Sequence, residues 1–212
     1  MAKPGERKLQ ILQALAGMLE DPKAEKITTA ALAARLDCSE AALYRHFASK
    51  AQMFEGLIEF IETSIFGVIN QISAEPTQGL QQVEHILALL LGFAQRNRGM
   101  TRVLTGDALV NENERLQARI NLLHDKIEAA LKQALRVAAT QQQIAASADF
   151  GALANVLLCY VAGRWQQYAK SGFTREPMAQ WTQQWPMLCI ACLSQQTDRT
   201  GRSAAQPTRT IV

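Results

Sequence analysis

The chain has 212 residues, enough for one or two domains, and its net charge is only +3. Apolar residues make up 48% of the sequence, aromatic residues make up 6%, and strong strand formers are few, which predicts an all-α protein. The longest apolar run is interrupted by Gly92 and is too short to cross a bilayer, and the polar start does not resemble a signal peptide. We therefore expect a cytoplasmic protein.

The first helix is expected at about residues 6–20, where apolar side chains follow a helical period. Residues 1–5 are expected to be a loose arm, because Pro4 and Gly5 would interrupt a helix. The residues of the apolar stripe are Leu12, Leu15, Ala16 and Leu19.

Residues 28–50 have the pattern of two short helices joined by a tight turn. Thr28 and Ser39 are suitable first caps, since a hydroxyl at that position accepts a hydrogen bond from a backbone N–H one turn later. Leu43 and Phe47 fall on one face of the second helix, which we expect at about residues 39–47. The pattern therefore predicts a helix-turn-helix.

The opposite face of the second helix carries Ala41 and Arg45, flanked by Ala42 and Tyr44. Small side chains allow close approach to a surface, and arginine binds base edges or phosphate, so this face suits a recognition helix in a major groove. On periodicity alone, a polar helix pair on the surface of any helical protein is the alternative interpretation.

Six further helices are expected after the helix-turn-helix, so the chain would contain about nine. Ser49 with Gln52 fits a capping box at the start of a long connecting helix. A DNA-binding domain over residues 1–48 would precede a helical domain over residues 49–196, and the polar residues 197–212 are expected to be disordered. The six helices are expected at about residues 49–72, 79–97, 100–111, 112–139, 149–170 and 177–196.

The last two expected helices are apolar on nearly all sides, more than one domain would cover. We expect them to form a dimer interface, as in a four-helix bundle across a two-fold axis. A pair buried within one protomer is the alternative. The residues assigned to the interface are Leu157, Tyr160, Val161, Trp185 and Leu188.

The sequence lacks the short motifs of common enzyme classes, such as a P-loop or a zinc-protease motif. His46, His85 and His124 lie on different expected helices without metal-ligand spacing. Cys189 and Cys192 form a C-x-x-C inside an apolar helical pattern, and we expect them to pack as reduced thiols. We predict no enzymatic activity, no metal and no cofactor.

The run Leu43-Tyr44-Arg45-His46-Phe47, followed by Ser49-Lys50, closely resembles the end of the DNA-binding domain in TetR-family regulators. In that family the tyrosine, histidine and lysine contact the DNA backbone. The threonine that opens the first helix of the pair and the start of the recognition helix also contact DNA. The resemblance implies a TetR-like fold with a helical dimerisation domain. The DNA-binding residues assigned on these grounds are Thr28, Thr29, Ser39, Ala41, Ala42, Tyr44, Arg45, His46 and Lys50.

Five separated blocks, ITTAALAARL, SEAALYRHF, MFEGLIEFIE, LLLGFAQRN and MTRVLTGDALV, further resemble the nucleoid occlusion branch of the TetR family. This resemblance implies a nucleoid-associated homodimer that binds palindromic chromosomal sites, with several dimers at a site as a possibility. It also implies binding to the C-terminal tail of the cell-division protein FtsZ, which antagonises division-ring assembly over the nucleoid. Ala48 and Arg98 depart from the pattern, which has proline at both positions.

A groove between the fourth and fifth helices is the expected FtsZ site, with apolar walls, an arginine, an asparagine and Gly92 permitting close approach of a peptide. The alternative function is a ligand-responsive transcriptional repressor, whose closed apolar pocket would need inward polar anchors. Ordinary core packing would also explain some of these apolar positions. The residues assigned to the groove are Phe60, Ser64, Leu89, Gly92, Phe93, Arg96 and Asn97.

Overall fold

The computed structural model describes residues 4–21 and 27–193, without the side chains of residues 4 and 191–193. The expectations for residues 1–3 of the arm, for the Cys192 side chain and for the 197–212 tail therefore lie outside the described part. The described residues form nine α-helices and one 3₁₀-helix and include no strand, so the predicted all-α fold is confirmed. The helices are α1 (Pro4–Met18), α2 (Thr29–Arg35), α3 (Glu40–Tyr44), α4 (Lys50–Ala74), α5 (Gly79–Arg96), α6 (Arg98–Leu104), α7 (Glu114–Thr140), α8 (Phe150–Lys170) and α9 (Trp181–Leu193), with the 3₁₀-helix at Asp107–Leu109.

Two helix bounds near the start of the chain differ from the prediction. Helix α1 begins at Pro4, because proline fits the first turn of a helix, where its missing N–H would have no partner. Helix α3 ends at Tyr44, and Arg45 is its C-cap, so the recognition helix is three residues shorter than expected. The apolar stripe of α1 includes Ile11, which is fully buried, whereas Leu12 is only half-buried.

Later in the chain, α6 begins at Arg98 directly after α5, whereas a break was expected at residues 98–99, and α6 ends at Leu104 instead of near residue 111. Helix α9 begins at Trp181 rather than at 177. Gln180 has a left-handed backbone with φ 64°, so the helix starts after this residue.

Helix α4 connects the helix-turn-helix to the rest of the chain and packs against α1, α5, α6 and α7. Beside α7, it is held by a ladder of ion pairs at three levels. The pairs are Lys50–Glu112, Glu55–Arg115 and Glu62 with both Arg119 and Lys126.

The second half of the fold is a bundle in which α7 packs on α5 and α8. Trp165 of α8 is fully buried, and its indole N–H donates to the carbonyl of Leu90 in α5 at 3.1 Å. The Tyr168 hydroxyl donates to the carbonyl of Gln95 at 3.0 Å. These two bonds fix α8 along α5. None of the described helices is long and apolar enough to cross a membrane.

Candidate nucleic-acid interface and partner groove

The caps predicted for the helix-turn-helix are present. The Thr28 hydroxyl accepts from the backbone N–H of Ala31 at 3.1 Å, and the Ser39 hydroxyl accepts from that of Ala42 at 3.2 Å. Asp37, between the helices, has a left-handed backbone with φ 48°, which makes the turn tight. Local side-chain bonds therefore define where α2 and α3 begin.

The outer face of α3 is open to solvent. Ala41, Tyr44 and Arg45 are exposed, while Leu43 and Phe47 on the opposite side are buried. The structure thus brings together a small side chain, a phenol and a guanidinium on one surface, as the sequence predicts. Of the other assigned residues, Ala42 in α3 and His46 just after it are half-buried.

A carboxylate that sequence analysis overlooked lies at the edge of this face. The Thr29 hydroxyl donates to the Glu40 carboxylate, which joins the first turn of α2 to the first turn of α3. Acidic residues are common in the first turn of a helix because they interact favourably with its N-terminus, so Glu40 gave no separate functional signal in the sequence. The negative charge of Glu40 would repel nearby DNA phosphates.

Lys50 is less available than its assignment to the DNA backbone requires. Its ammonium donates to the carboxylate of Glu112, and the two side chains are only 21% and 12% exposed. The Lys50 nitrogen also lies 5.7 Å from the centre of the Phe54 ring. The assigned phosphate contact is therefore occupied by a carboxylate from the other half of the chain.

The two residues that depart from the family pattern, Ala48 and Arg98, each take part in a contact that proline at that position would not make. The Ala48 N–H donates to the Gln52 side chain at 2.8 Å, a bond that proline could not form. The Ser49 hydroxyl caps α4 by accepting from the Gln52 N–H at 3.2 Å. Arg98 is the first residue of α6, a position that also suits proline, and its guanidinium lies 6.0 Å from the Phe173 ring centre.

Phe60 lies between two hollows on the surface of α4. One, of about 250 Å³, is also lined by Asn97, Leu9, Leu12 and Met100. The other, of about 310 Å³, is shared by Phe60 and Leu12 with residues at the start of α1 and the end of the helix-turn-helix. Phe60 is 39% exposed. We call these two hollows the α1–α4 groove.

The participation of α1 in this groove was not predicted. The signal that could have revealed it is Leu9, which lies off the apolar stripe of α1 and is 41% exposed. An apolar side chain on an otherwise polar helix face indicates a contact surface when a second apolar side chain lies beside it. Here that neighbour is Phe60.

Arg96 lies at the end of α5, and its side chain is exposed. A β-carbon at position 92 would stand 3.4 Å from Nη1 of Arg96, an ordinary contact distance, so the Arg96 guanidinium lies beside Gly92. The Asn97 amide donates to the carbonyl of Phe93 at 2.8 Å, which fixes its orientation. Asn97 lines the smaller hollow of the α1–α4 groove, and Arg96 precedes it at the end of α5 with an exposed side chain.

The expected groove is wrong for two of its residues. Phe93 is 8% exposed and belongs to the core, and Gly92 is buried. Ser64 and Leu89 are half-buried, and the Ser64 hydroxyl donates to the carbonyl of Phe60 one turn earlier at 2.7 Å. Of the assigned set, Phe60, Arg96 and Asn97 offer the accessible chemistry.

The expected dimer interface also needs correction. Leu157 and Val161 are 1% and 0% exposed within the protomer, so their side chains belong to its core and are not free to contact a partner. Tyr160, Trp185 and Leu188 are half-buried. The Tyr160 hydroxyl donates to the side chain of Gln184 at 2.6 Å, and burial raises the pKa of this phenol. Helix α8 thus packs on α9 within one chain.

An apolar surface does remain on α8 and α9, formed by neighbours of the assigned residues. Its most exposed large side chains are Val156, Met187 and Ile190, at 57%, 66% and 65%. A monomer would leave these side chains in water, whereas a second protomer would cover them.

A helix-turn-helix with an open recognition face, joined by α4 to a helical bundle, defines a DNA-binding protein of the TetR type. The family model described as "Bacterial regulatory proteins, tetR family" matches residues 11–57. The SlmA-like model described as "Tetracyclin repressor-like, C-terminal domain" matches residues 77–192. Because the second model covers more than half of the chain, the match extends well beyond the common DNA-binding domain.

Two curated relatives define the family more closely. The nucleoid occlusion factor SlmA of Alteromonas mediterranea is 51% identical over 86% of this chain and 94% of its own length. That of a Marinomonas species is 49% identical over 88% of this chain and 94% of its own length. The chain belongs to the SlmA family of TetR-type nucleoid occlusion factors. It is accordingly a DNA-binding regulator and not an enzyme.

A solved structure supports the fold alone. The TetR transcription regulator from Haloarcula marismortui superposes with a TM-score of 0.74 at 16% identity, covering 89% of this chain and 99% of that chain. In the described part of this chain, no group of three or more His, Cys, Asp or Glu side chains is arranged to hold a metal ion.

Proposed function

We propose that this protein is a nucleoid occlusion factor that binds palindromic chromosomal sites as a homodimer and, when bound to DNA, binds the C-terminal tail of FtsZ. In this proposal the tail interaction antagonises division-ring assembly over the nucleoid, and the protein is cytoplasmic and nucleoid-associated. Residues 1–48 would form the DNA-binding region, and residues 49–196 would form the region for dimerisation and partner binding. The observation that carries the proposal is the exposed Arg45 face on α3 together with the apolar hollows around Phe60, one of which Asn97 lines.

The DNA-binding half of the proposal rests on the exposed face of α3. A two-fold dimer would place two copies of α3 in successive major grooves, about 34 Å apart. Ala41 would allow the helix to approach the bases, and Arg45 would bind base edges or phosphate. The net charge of +3 is small, so affinity would depend on such specific contacts and on the second protomer.

The partner-binding half rests on the α1–α4 groove and its neighbouring arginine. The two hollows beside Phe60 would accept apolar side chains of an extended peptide. Arg96 would pair with a carboxylate of the tail, since a guanidinium can donate two parallel hydrogen bonds to it. A disordered tail loses entropy when it binds, so affinity for one dimer would be weak. Several dimers clustered on DNA would raise it through multivalency.

The buried polar groups bear on the alternative function, the ligand pocket of a repressor. Gln82 and Thr101 are the buried polar side chains among the residues that the structure describes. Both already bond to backbone: Gln82 donates to the carbonyl of Glu75 at 3.4 Å, and Thr101 donates to those of Ala94 and Asn97 at 2.9 and 3.0 Å. Gln82 and Thr101 are therefore not free inward anchors of the kind that a ligand pocket needs. Nε2 of His124 and Oγ1 of Thr77 are buried without a hydrogen-bond partner among the described residues, so the repressor alternative would have to use these two atoms.

Sedimentation of purified FtsZ polymer tests the proposed function. Operator duplexes would first be selected from chromosomal fragments by gel shift with this protein. With operator present, the protein should reduce the amount of sedimented FtsZ, and a duplex of equal length without the palindrome should leave it unchanged. An effect of the same size with either duplex would show that specific DNA binding is not needed for the effect on FtsZ. No effect on FtsZ sedimentation with operator present would contradict the proposal that FtsZ is the partner.

A further inference from the structure

One contact beside the helix-turn-helix, the ion pair of Lys50 and Glu112, is not explained by the proposed function. Lys50 is the first residue of α4, immediately after the helix-turn-helix. Glu112 lies 62 positions further on, in the loop before α7, whose N-cap is Asn113. A side chain assigned to DNA is thus bound by a carboxylate from the other half of the chain.

This pair is more sheltered than the other ion pairs of the α4–α7 ladder. The side chains of Lys50 and Glu112 are 21% and 12% exposed, whereas Arg115 and Lys126 in the other pairs are 54% and 47% exposed. Shielding from water strengthens the attraction between opposite charges, and the ammonium of Lys50 also lies over the Phe54 ring. To bind a phosphate, the Lys50 ammonium would therefore have to give up its ion pair with Glu112.

We propose that Glu112 is an autoinhibitory residue of the DNA interface, whose carboxylate competes with a DNA phosphate for the ammonium of Lys50. This inference rests on the proposed DNA contact of Lys50. A carboxylate and a phosphate are both anions, and they repel each other when they share one ammonium, so DNA binding breaks the Lys50–Glu112 pair and releases the loop.

The rest of the ladder confines the change to this loop. One turn further along α4, Glu55 pairs with Arg115 at 2.8 Å, and Glu62 pairs with Arg119 at 3.6 Å, so α7 stays attached when the first pair breaks. By linkage, DNA loosens the loop by the same free energy by which the loop weakens DNA binding. The mobility of residues 110–113 therefore depends on whether DNA is bound.

A double-mutant cycle on operator DNA tests the competition. Fluorescence anisotropy at one salt concentration would compare the parent, Glu112→Gln, Lys50→Ala and the double variant. Glu112→Gln should tighten binding by about fivefold in the parent background, the scale of a partly exposed ion pair. It should leave affinity unchanged when Lys50 is absent. Glu114→Gln, an equal charge change at an exposed residue of the same segment, is the matched control and should change affinity much less than Glu112→Gln.

Two results would overturn the proposal that Glu112 competes with a DNA phosphate for Lys50. Equal tightening with and without Lys50 would mean that Glu112 acts only through its charge, and weaker binding by Glu112→Gln would mean that it orients Lys50 for DNA. If Lys50→Ala binds operator like the parent, the proposed contact of Lys50 fails and the inference fails with it, while binding through Arg45 stands.

Hydrogen exchange on the unaltered dimer gives a second test that needs no variant to fold. Operator DNA should speed amide exchange in residues 110–113, because the pair that holds the loop is broken. Exchange in the α7 turn at Arg119 should not increase. Unchanged or slower exchange of the loop on DNA would contradict the release of Glu112.

Discussion

Gly99 lies so close to Ala16 that a β-carbon at position 99 would stand 1.9 Å from the Ala16 carbonyl oxygen. Gly99 is in the first turn of α6, and Ala16 is in the last turn of α1. Helix α1 is therefore docked on α6 by direct approach of two backbones. The Arg102 guanidinium, which donates to the carbonyl of Asp21 at 3.0 Å, adds a second link between α6 and the end of α1.

Gly99→Ala should destabilise the protein by about 1–3 kcal/mol, because a side chain at this contact forces two helices apart. Urea denaturation followed by circular dichroism would measure the loss. Gly67→Ala is the matched control, since a β-carbon there meets nothing within 4 Å and lies within α4. It should stabilise by about 0.5–1 kcal/mol. Equal stability of Gly99→Ala and the parent would show that α1 and α6 are not tightly docked.

Arg45→Ala should weaken operator binding by roughly 1–3 kcal/mol, as expected for an arginine that reads DNA. Arg35→Ala removes the same charge from a side chain that lies against α1 at Gly17 and should have a much smaller effect. Gel shifts at matched salt would compare the two. If Arg45→Ala bound the palindrome as tightly as the parent, the recognition face would lie elsewhere.

Neighbouring residues on α8 should separate dimerisation from folding. Val156→Glu places a charge on the exposed apolar surface and should give a folded monomer, because the partner would have to bury an unpaired carboxylate. Leu157→Glu places the same charge in the protomer core and should reduce helicity. Analytical ultracentrifugation and circular dichroism distinguish these outcomes. A dimeric Val156→Glu protein would show that the dimer interface lies on a different surface.

His124 should make the protein less stable in mild acid. Burial lowers the pKa of this imidazole, outweighing the opposite effects of a hydrogen bond to the Leu104 backbone and the charge of Asp125. Below the ordinary pKa of about 6.5, the unfolded chain binds a proton that the folded chain does not. Stability is therefore full above that pKa and falls as the pH decreases towards the folded value.

Urea denaturation at pH 7.5 and pH 5.5 would compare the parent with His124→Asn. The parent should lose more free energy of unfolding between the two pH values than the variant does. The Nε2 atom of His124 is buried without a hydrogen-bond partner among the described residues, which agrees with a neutral ring. Equal losses in the two proteins would mean that His124 does not titrate in this range.

The helices and their caps were predictable because their signals are local. Thr28, Ser39 and Ser49 each bond to an N–H three residues later, and the apolar period continues from each of them. The partner of Lys50 was not predictable, since it lies 62 positions away on another helix junction. The same holds for Leu9 and Phe60, which become neighbours only when α1 packs on α4.

An apolar helix surface does not by itself distinguish the core of one protomer from an interface between two. Leu157 and Val161 were assigned to the interface on this basis, and the packing of α8 on α5 and α7 places both in the core. The short recognition helix has a similar cause. The period of Leu43 and Phe47 continues across residues 45–47, but Arg45 and His46 form a turn and Phe47 is buried beyond the end of the helix. Periodicity therefore overestimates the length of the helix.

The measurement that tests the proposed function most directly is fluorescence anisotropy of a labelled FtsZ tail and, in parallel, of labelled operator, on Arg96→Asp. Arg98→Asp, an equal charge change two residues away, is the control, and Thr28→Ala is the reciprocal variant. We predict that Arg96→Asp loses tail binding and keeps operator binding, that Arg98→Asp keeps both, and that Thr28→Ala weakens only operator binding. Tail binding by Arg96→Asp equal to that of the parent would contradict the assigned groove, and absence of tail binding by the DNA-bound parent would contradict the proposed function.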